Sequence, residues 1–335
     1  MRARGARVKR APSVARPTAG VSWRDGVHVL GTAVWCDARR ARAVCFVSSA
    51  DRTGRAGHGQ LIATAETLAL LGAHGDSHLA APTGRPFTLG TVRLELVRSG
   101  WSVGAAALLV DSGHRVLYAG AVAPGGSGLG GAAELRRCDT LVVAAPYGAT
   151  HHAFTGSAGD VIEFARGAIA AGAVPVVLVT SALKGLDAVA ALDGAGVACA
   201  GHRAVVEAAR RLATAGPELS VKRTVARGRA LVWLVSDKAR LSAALGGARA
   251  KLALASGLAV ERDLVRELGV DVAIPWSAAA DRAALLDYIG RSGAAEVAVT
   301  GAYADEIVAA VGPHARRLGP HRQMTLFPDL TRRVS

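Results

Sequence analysis

Residues 44–71 read VCFVSSADRTGRAGHGQLIATAETLALL. The stretch opens on Val44-Cys45-Phe46-Val47, a continuous apolar run of the kind a buried strand requires. It breaks at the polar turn Ser48-Ser49-Ala50-Asp51-Arg52-Thr53-Gly54 and resumes at Leu61-Ile62-Ala63. It then enters a helix at Thr64, whose hydroxyl is placed to cap the amides of the following turn. A polar loop at a strand end, followed by a helix, is a common location for chemistry.

To the N-terminal side, 27–30 and 33–36 read as a hairpin around Gly31-Thr32, with Asp37 directly after it. To the C-terminal side, 92–97, 105–111 and 116–119 read as strands, the last two joined by Ser112-Gly113, and 140–144 as a buried strand. From about residue 155 the texture changes to alternating helices and strands: helix 160–171, strand 174–179, helix 205–212 and strand 231–235. Strand 270–274, helix 281–289 and strand 297–300 then return to the first fold. The fold class expected is α/β. Its parts are a basic disordered arm (1–21), a first domain segment (22–154), an inserted α/β segment (155–255), a return segment (256–313) and an extended tail (314–335).

Hydrophobic residues make up 51% of the 335, enough for a sizeable core. The net charge of +14 favours polyanions, because clustered Lys and Arg release counterions from nucleic acid. An arginine excess spread over a solvated surface is the other reading of the same number. Cys36, Cys45, Cys138 and Cys199 form no C-x-x-C pair and read as reduced buried thiols of a cytosolic protein. The longest apolar candidate, 168–183, carries Pro175 and reads as helix, turn and strand, so no membrane span is expected. The basic N-terminus (Arg2, Arg4, Arg7, Lys9, Arg10, Arg16) lacks an apolar signal core.

The flanks of the opening stretch resemble the metallo-β-lactamase/β-CASP nucleases, especially the bacterial exonucleases encoded beside DNA ligases. The family loop reads roughly T-H-A-H-S-D-H-A-R-P-G-H-G and holds two zinc or manganese ions. Aligned on Arg55-Ala56-Gly57-His58-Gly59, this chain has Ser48, Ala50, Arg52 and Thr53 at the ligand positions. The histidine of A-G-H-V-L-G-S-A becomes Trp101, the aspartate of S-G-D-Y becomes Ala121, and the acid of T-E-S-T-F-G becomes Ala144. S-D-H-A-D becomes Ser277-Ala278-Ala279-Ala280-Asp281, and the histidine of V-T-H-G-Y becomes Gly301. The cap motif A-L-G-K-A-Q is matched only in part, by Ala182-Leu183-Lys184-Gly185. The resemblance implies an αββα sandwich with an inserted β-CASP-like cap, without the family's metal centre and with no cofactor.

Two polar features match the family pattern, Asp37 and His58. Asp37 either orients the site, as the resemblance implies, or is a turn residue bonding its own backbone. His151-His152 lies near the expected cleft, but adjacent histidines usually point apart, which argues against a metal there. Arg52 and Arg55 are the candidate phosphate-binding cations, with an exposed loop arginine as the plainer reading of Arg52. Gln323-Met324-Thr325-Leu326-Phe327 resembles the bacterial sliding-clamp-binding pentapeptide. Gln323 would bond the pocket rim, and Met324, Leu326 and Phe327 would fill an apolar cleft; folding back onto the chain's own domain is the alternative.

The expected function is a catalytically inactive nucleic-acid-binding or scaffolding subunit of DNA repair or replication. Its expected partners are DNA, the sliding clamp, and a ligase, helicase or active nuclease, with no membrane. The competing expectation is an active metal-dependent exonuclease with a site rebuilt from Asp37, Asp51, His58, His151, His152 and Asp281.

Overall fold

The computed structural model describes residues 20–51, 57–73, 75–126, 128–226 and 228–320. The chain begins with β1 (Val21–Trp23), β2 (Val27–Val29), β3 (Val34–Cys36), β4 (Val44–Phe46), β5 (Gln60–Ala63), α1 (Ala65–Leu71) and β6 (Leu79–Ala80). The six strands form one sheet in chain order, antiparallel from β1 to β3 and parallel from β3 to β6. Thr64 caps α1 as expected: its Oγ accepts from Thr67 N and donates to Gly104 O at 2.6 Å. One hydroxyl thus starts the helix and ties it to the loop before β9.

Next come β7 (Phe87–Leu89), β8 (Val92–Arg98), β9 (Ala106–Asp111), β10 (Arg115–Gly120) and β11 (Thr140–Ala144), an antiparallel meander closed by the parallel pair β10–β11. The chain then leaves this sheet through α2 (Ala158–Ala170), β12 (Val174–Val179), α3 (Ala182–Gly194), β13 (Cys199–Gly201), α4 (Arg203–Leu212) and β14 (Val221–Lys222). It continues through β15 (Ala230–Leu234), α5 (Leu241–Leu245), β16 (Ala250–Ala255), α6 (Arg262–Leu268) and β17 (Val272–Ile274). It returns with α7 (Arg282–Ser292), β18 (Glu296–Thr300), α8 (Ala304–Val311) and β19 (Ala315–Arg317), where β18 pairs with β11 and β19 with β18.

The first two sheets stack face to face. Val29, Phe46 and Ile62 of the first share a core with Leu94, Leu96, Leu108, Val110 and Val142 of the second. Strand alternation sets the layers: Val142 of β11 points into that core, while Leu141 and Val143 point outward under Leu285 and Ile289 of α7 and Ile307 of α8. Leu68 of α1 covers Cys45, Val47 and Ala63 on the outer face of the first sheet. The result is helix, sheet, sheet, helix. Each fully buried leucine of this core contributes about 1.5–3 kcal/mol through removal from water.

The excursion between β11 and β18 builds a third sheet, entirely parallel, in the order β14-β13-β15-β12-β16-β17. All six residues of β12 are buried, as a central parallel strand demands. Val177 and Val179 face α2, α3 and α4, and Val176 and Leu178 face α5 and α6. Two boundaries expected from sequence move. Strand β17, expected in the return segment, pairs with β16, so residues 256–274 belong with the third sheet. The chain is also still paired at 315–317, so the expected tail from 314 begins with an edge strand. Among the described residues, no helix is long and apolar enough to cross a membrane. All four cysteines are free and buried, and burial pushes the Cys45 and Cys138 thiols up to about 11 and Cys199 to about 12.

Candidate functional site

The carboxyl ends of β3, β4, β10, β11 and β18 open toward one region, and Asp37 stitches two of the sheets together there. Its backbone takes a φ of 46°, and its Oδ1 accepts from Ser48 N at 2.8 Å. Oδ2 accepts from Ser48 Oγ at 2.5 Å and from Tyr118 Oη, on β10, at 2.8 Å. Asp37 thus reaches across strands rather than to its own turn, and its carboxylate is committed to protein donors. Ser48 is buried, and its carbonyl accepts from Ala106 N.

The other expected ligand positions gather around it. Ala280 N donates to Val122 O, Ala145 N to Thr300 O and Tyr303 N to Ala145 O, which draws the segments carrying Ala121, Ala144, Ala278, Ala279 and Gly301 together. Ala121, Ala144 and Ala279 are buried, Ala278 is half-buried, and Ala50 packs against the hydrophobic core of the third sheet. Trp101 donates its indole N–H to Asp51 at 3.3 Å, while Ser49 Oγ donates to the other Asp51 oxygen and lies 3.3 Å from Ser102 Oγ. Arg52, Thr53 and Arg55 lie outside the described residues, as do Gln323, Met324, Leu326 and Phe327.

His58 is elsewhere. It precedes β5, at the opposite end of the strands from Ser48, and its Nδ1 accepts from Arg42 N at 3.3 Å. Burial lowers its imidazole pKa. Its role is to anchor the entry to β4, a role the loop motif does not reveal. Gly301 sits at φ 102°, where a Cβ would come within 2.7 Å of the Ala145 carbonyl oxygen. Gly301→His is therefore expected to strain the backbone and lower stability by about 2–4 kcal/mol, without creating a metal ligand. Thermal unfolding with and without zinc checks this; a zinc-dependent rise in Tm would contradict it.

One group of potential metal ligands occurs among the described residues: His151, His152 and Glu261, with ligand atoms within 4.8 Å of one another. Its hydrogen bonds argue against a metal. His152 is buried, and its Nδ1 accepts from both Gly148 N (2.9 Å) and Ala149 N (3.1 Å). The ring proton must then sit on Nε2, which donates to Glu261 Oε1 at 3.0 Å. A metal at Nε2 would need the other tautomer, with an Nδ1 proton facing two amide protons. His151 also bonds Glu261, at 2.8 Å, and the two histidines hold the Glu261 carboxyl below its usual range. The trio braces the loop after β11 against the third-sheet lobe. His152→Ala, which orphans two amides, is expected to cost about 2 kcal/mol, and His151→Ala, at an exposed ring, less than about 0.5 kcal/mol. Urea unfolding of the two variants checks the contrast.

A small cavity lies between the lobes at the carboxyl ends of β12 and β16. Trp101, Ser102, Tyr147, Trp276 and Ser277 line it from one side, and Thr180, Ser181, Lys184 and Ser256 from the other. Lys184 is 3% exposed, its Nζ lies over the Trp276 ring at 3.1 Å from the centroid, and it has no hydrogen-bond partner. Burial pushes its pKa down to about 8, against the attraction of Asp187. In the sequence, Lys184 stands only within an imperfect motif match, Ala182-Leu183-Lys184-Gly185. The usable signal is a serine cap two residues after a fully apolar strand, followed by a lysine in the first turn of the helix.

No family model matches the sequence, and no curated protein matches it. Among solved structures, the chain is similar to the crystal structure of a protein of unknown function from Enterococcus faecalis V583. The identity is 12% and the TM-score 0.52, over 83% of this chain and 79% of that one. That is a likeness of fold.

Proposed function

We propose that the chain is a non-hydrolysing relative of the metallo-β-lactamase/β-CASP nucleases that binds nucleic acid, DNA in the first instance, as a scaffolding subunit of repair or replication. Two features of the fold support the reading, the helix–sheet–sheet–helix layering and the parallel α/β excursion between β11 and β18, beside the resemblance of the sequence around the strand ends to the family's motifs. The observation that carries it is the coherent neutralisation of one region. Under the resemblance, Ala121, Ala144, Ala278 and Ala279 take the positions at which two dications would need acids and imidazoles, and Asp37 is engaged by Ser48 and Tyr118. Removing metals while keeping buried acids would leave uncompensated charge, and here the acids are gone as well.

The net charge of +14 supplies attraction to phosphates, and Gln323, Met324, Leu326 and Phe327 are the proposed tether to a sliding clamp. The test is binding of a labelled duplex and a single strand across a salt series. Affinity is expected to fall with log salt at a slope of about −0.7 to −0.9 per phosphate contacted, with the strand uncut. No binding at low salt would sink the reading.

A further inference from the structure

We propose that the cavity between the lobes is a binding site for a small phosphate-class oxyanion, with Lys184 as its cation. The proposal does not depend on nucleic-acid binding.

Four independent features converge there. The first is topological. The chain leaves β12 toward α3 on one face of the third sheet and leaves β16 toward α6 on the other. Where neighbouring parallel strands send their connections to opposite faces, a crevice opens at their carboxyl ends, and ligands of parallel α/β sheets bind in it. The second is the amino end of α3, a 13-residue helix, whose first-turn amides and dipole favour negative charge.

The third is the lysine itself. Nothing donates to or accepts from Nζ, and the face of Trp276 favours the ammonium form held against it. A buried ammonium without a hydrogen-bond partner is costly, and an anion in the adjoining cavity would satisfy it.

The fourth is the excess of donors. Ser181 Oγ already accepts from Lys184 N, Ser256 Oγ from Leu258 N and Ser277 Oγ from Ala279 N, so each hydroxyl has its proton left to give. The hydroxyl-bearing Ser181, Ser256, Ser277 and Tyr147 and the Lys184 ammonium line a space of about 30 Å³. That space exceeds the need of one water.

Because the lining comes from both lobes, occupancy should clamp them together and register as stability. The experiment is thermal unfolding of the full chain titrated with inorganic phosphate at constant ionic strength, against chloride. Wild type is expected to gain about 2–5 °C once phosphate exceeds its Kd tenfold. Lys184→Met and Lys184→Gln are expected to show no phosphate-specific gain; two replacements keep the test usable should one misfold. Parallel titrations with a 5′-phosphorylated oligonucleotide and its unphosphorylated counterpart distinguish the source. A Lys184-dependent gain with inorganic phosphate identifies a free anion. A Lys184-dependent gain with the phosphorylated oligonucleotide alone identifies a nucleic-acid end. No gain from either, or equal gains in wild type and both variants, overturns the site. Duplex binding that survives in Lys184→Met would leave the proposed function standing while the cavity proposal is judged separately.

Discussion

Replacing Asp37 with alanine is expected to lower the unfolding free energy by about 3–5 kcal/mol, the largest loss among the site variants. The carboxylate takes three hydrogen bonds, from Ser48 N, Ser48 Oγ and Tyr118 Oη, and so ties the ends of β3 and β4 to β10 in the facing sheet. Alanine would strand a backbone amide and two hydroxyls where Ser48 and Tyr118 are buried. It would also have to hold a φ of 46°, which costs a residue with a Cβ about 1–2 kcal/mol. Asp37→Asn separates the contributions. Asparagine tolerates that backbone and keeps an acceptor oxygen, so its loss should be only about 1–2 kcal/mol. Urea unfolding measures both, and a loss below about 1 kcal/mol for the alanine variant would show that the sheets do not depend on this link.

Lys184→Met is expected to do the opposite and raise stability by about 2–3 kcal/mol at neutral pH. Burial lowers the lysine from its ordinary 10.5 to about 8, and this balance already includes the attraction of Asp187. An apolar side chain of similar length removes the cost of holding the charge and preserves the packing against Trp276. The sign can be checked with pH. Below about 8 both native and unfolded chains carry the proton, and the cost is present in full. Between about 8 and 10.5 the native lysine gives up its proton before the unfolded one does, so wild-type stability rises with pH. The advantage of Lys184→Met should therefore shrink across that window. An advantage that is absent at pH 7, or that grows with pH, would mean the ammonium is satisfied in solution. A lysine kept at such cost is what a binding site trading stability for function would contain.

Local pattern was enough for much of the architecture. Continuous apolar runs marked β11 and β12, the hairpin of β2 and β3 followed from Gly31-Thr32, and Thr64 announced α1 through its cap. Sheet membership was harder to read. Strand β17 is three residues long, with two of them exposed, and only its pairing with β16 assigns it to the third sheet. The site was readable as a set of positions and not as a set of interactions. Asp37 was singled out, but its grip on Ser48 and Tyr118 depends on three strands meeting. A lysine in the first turn of a helix ordinarily faces water, so the burial of Lys184 is not legible locally. Lys184 is buried by Trp276, ninety-two residues further on and just past β17. His58 misled in the other direction: its motif points to the loop, while its side chain serves the far end of the sheet.

The proposed kinship with the two-metal nucleases, without their metals, is tested most directly by elemental analysis of the purified full chain after equilibration with zinc or manganese and dialysis, with strand cleavage assayed on the same sample. The expected result is no stoichiometric metal and no cutting that a chelator abolishes. Two metals per chain, with chelator-sensitive cutting, would contradict it and require a site built from residues other than those at the strand ends.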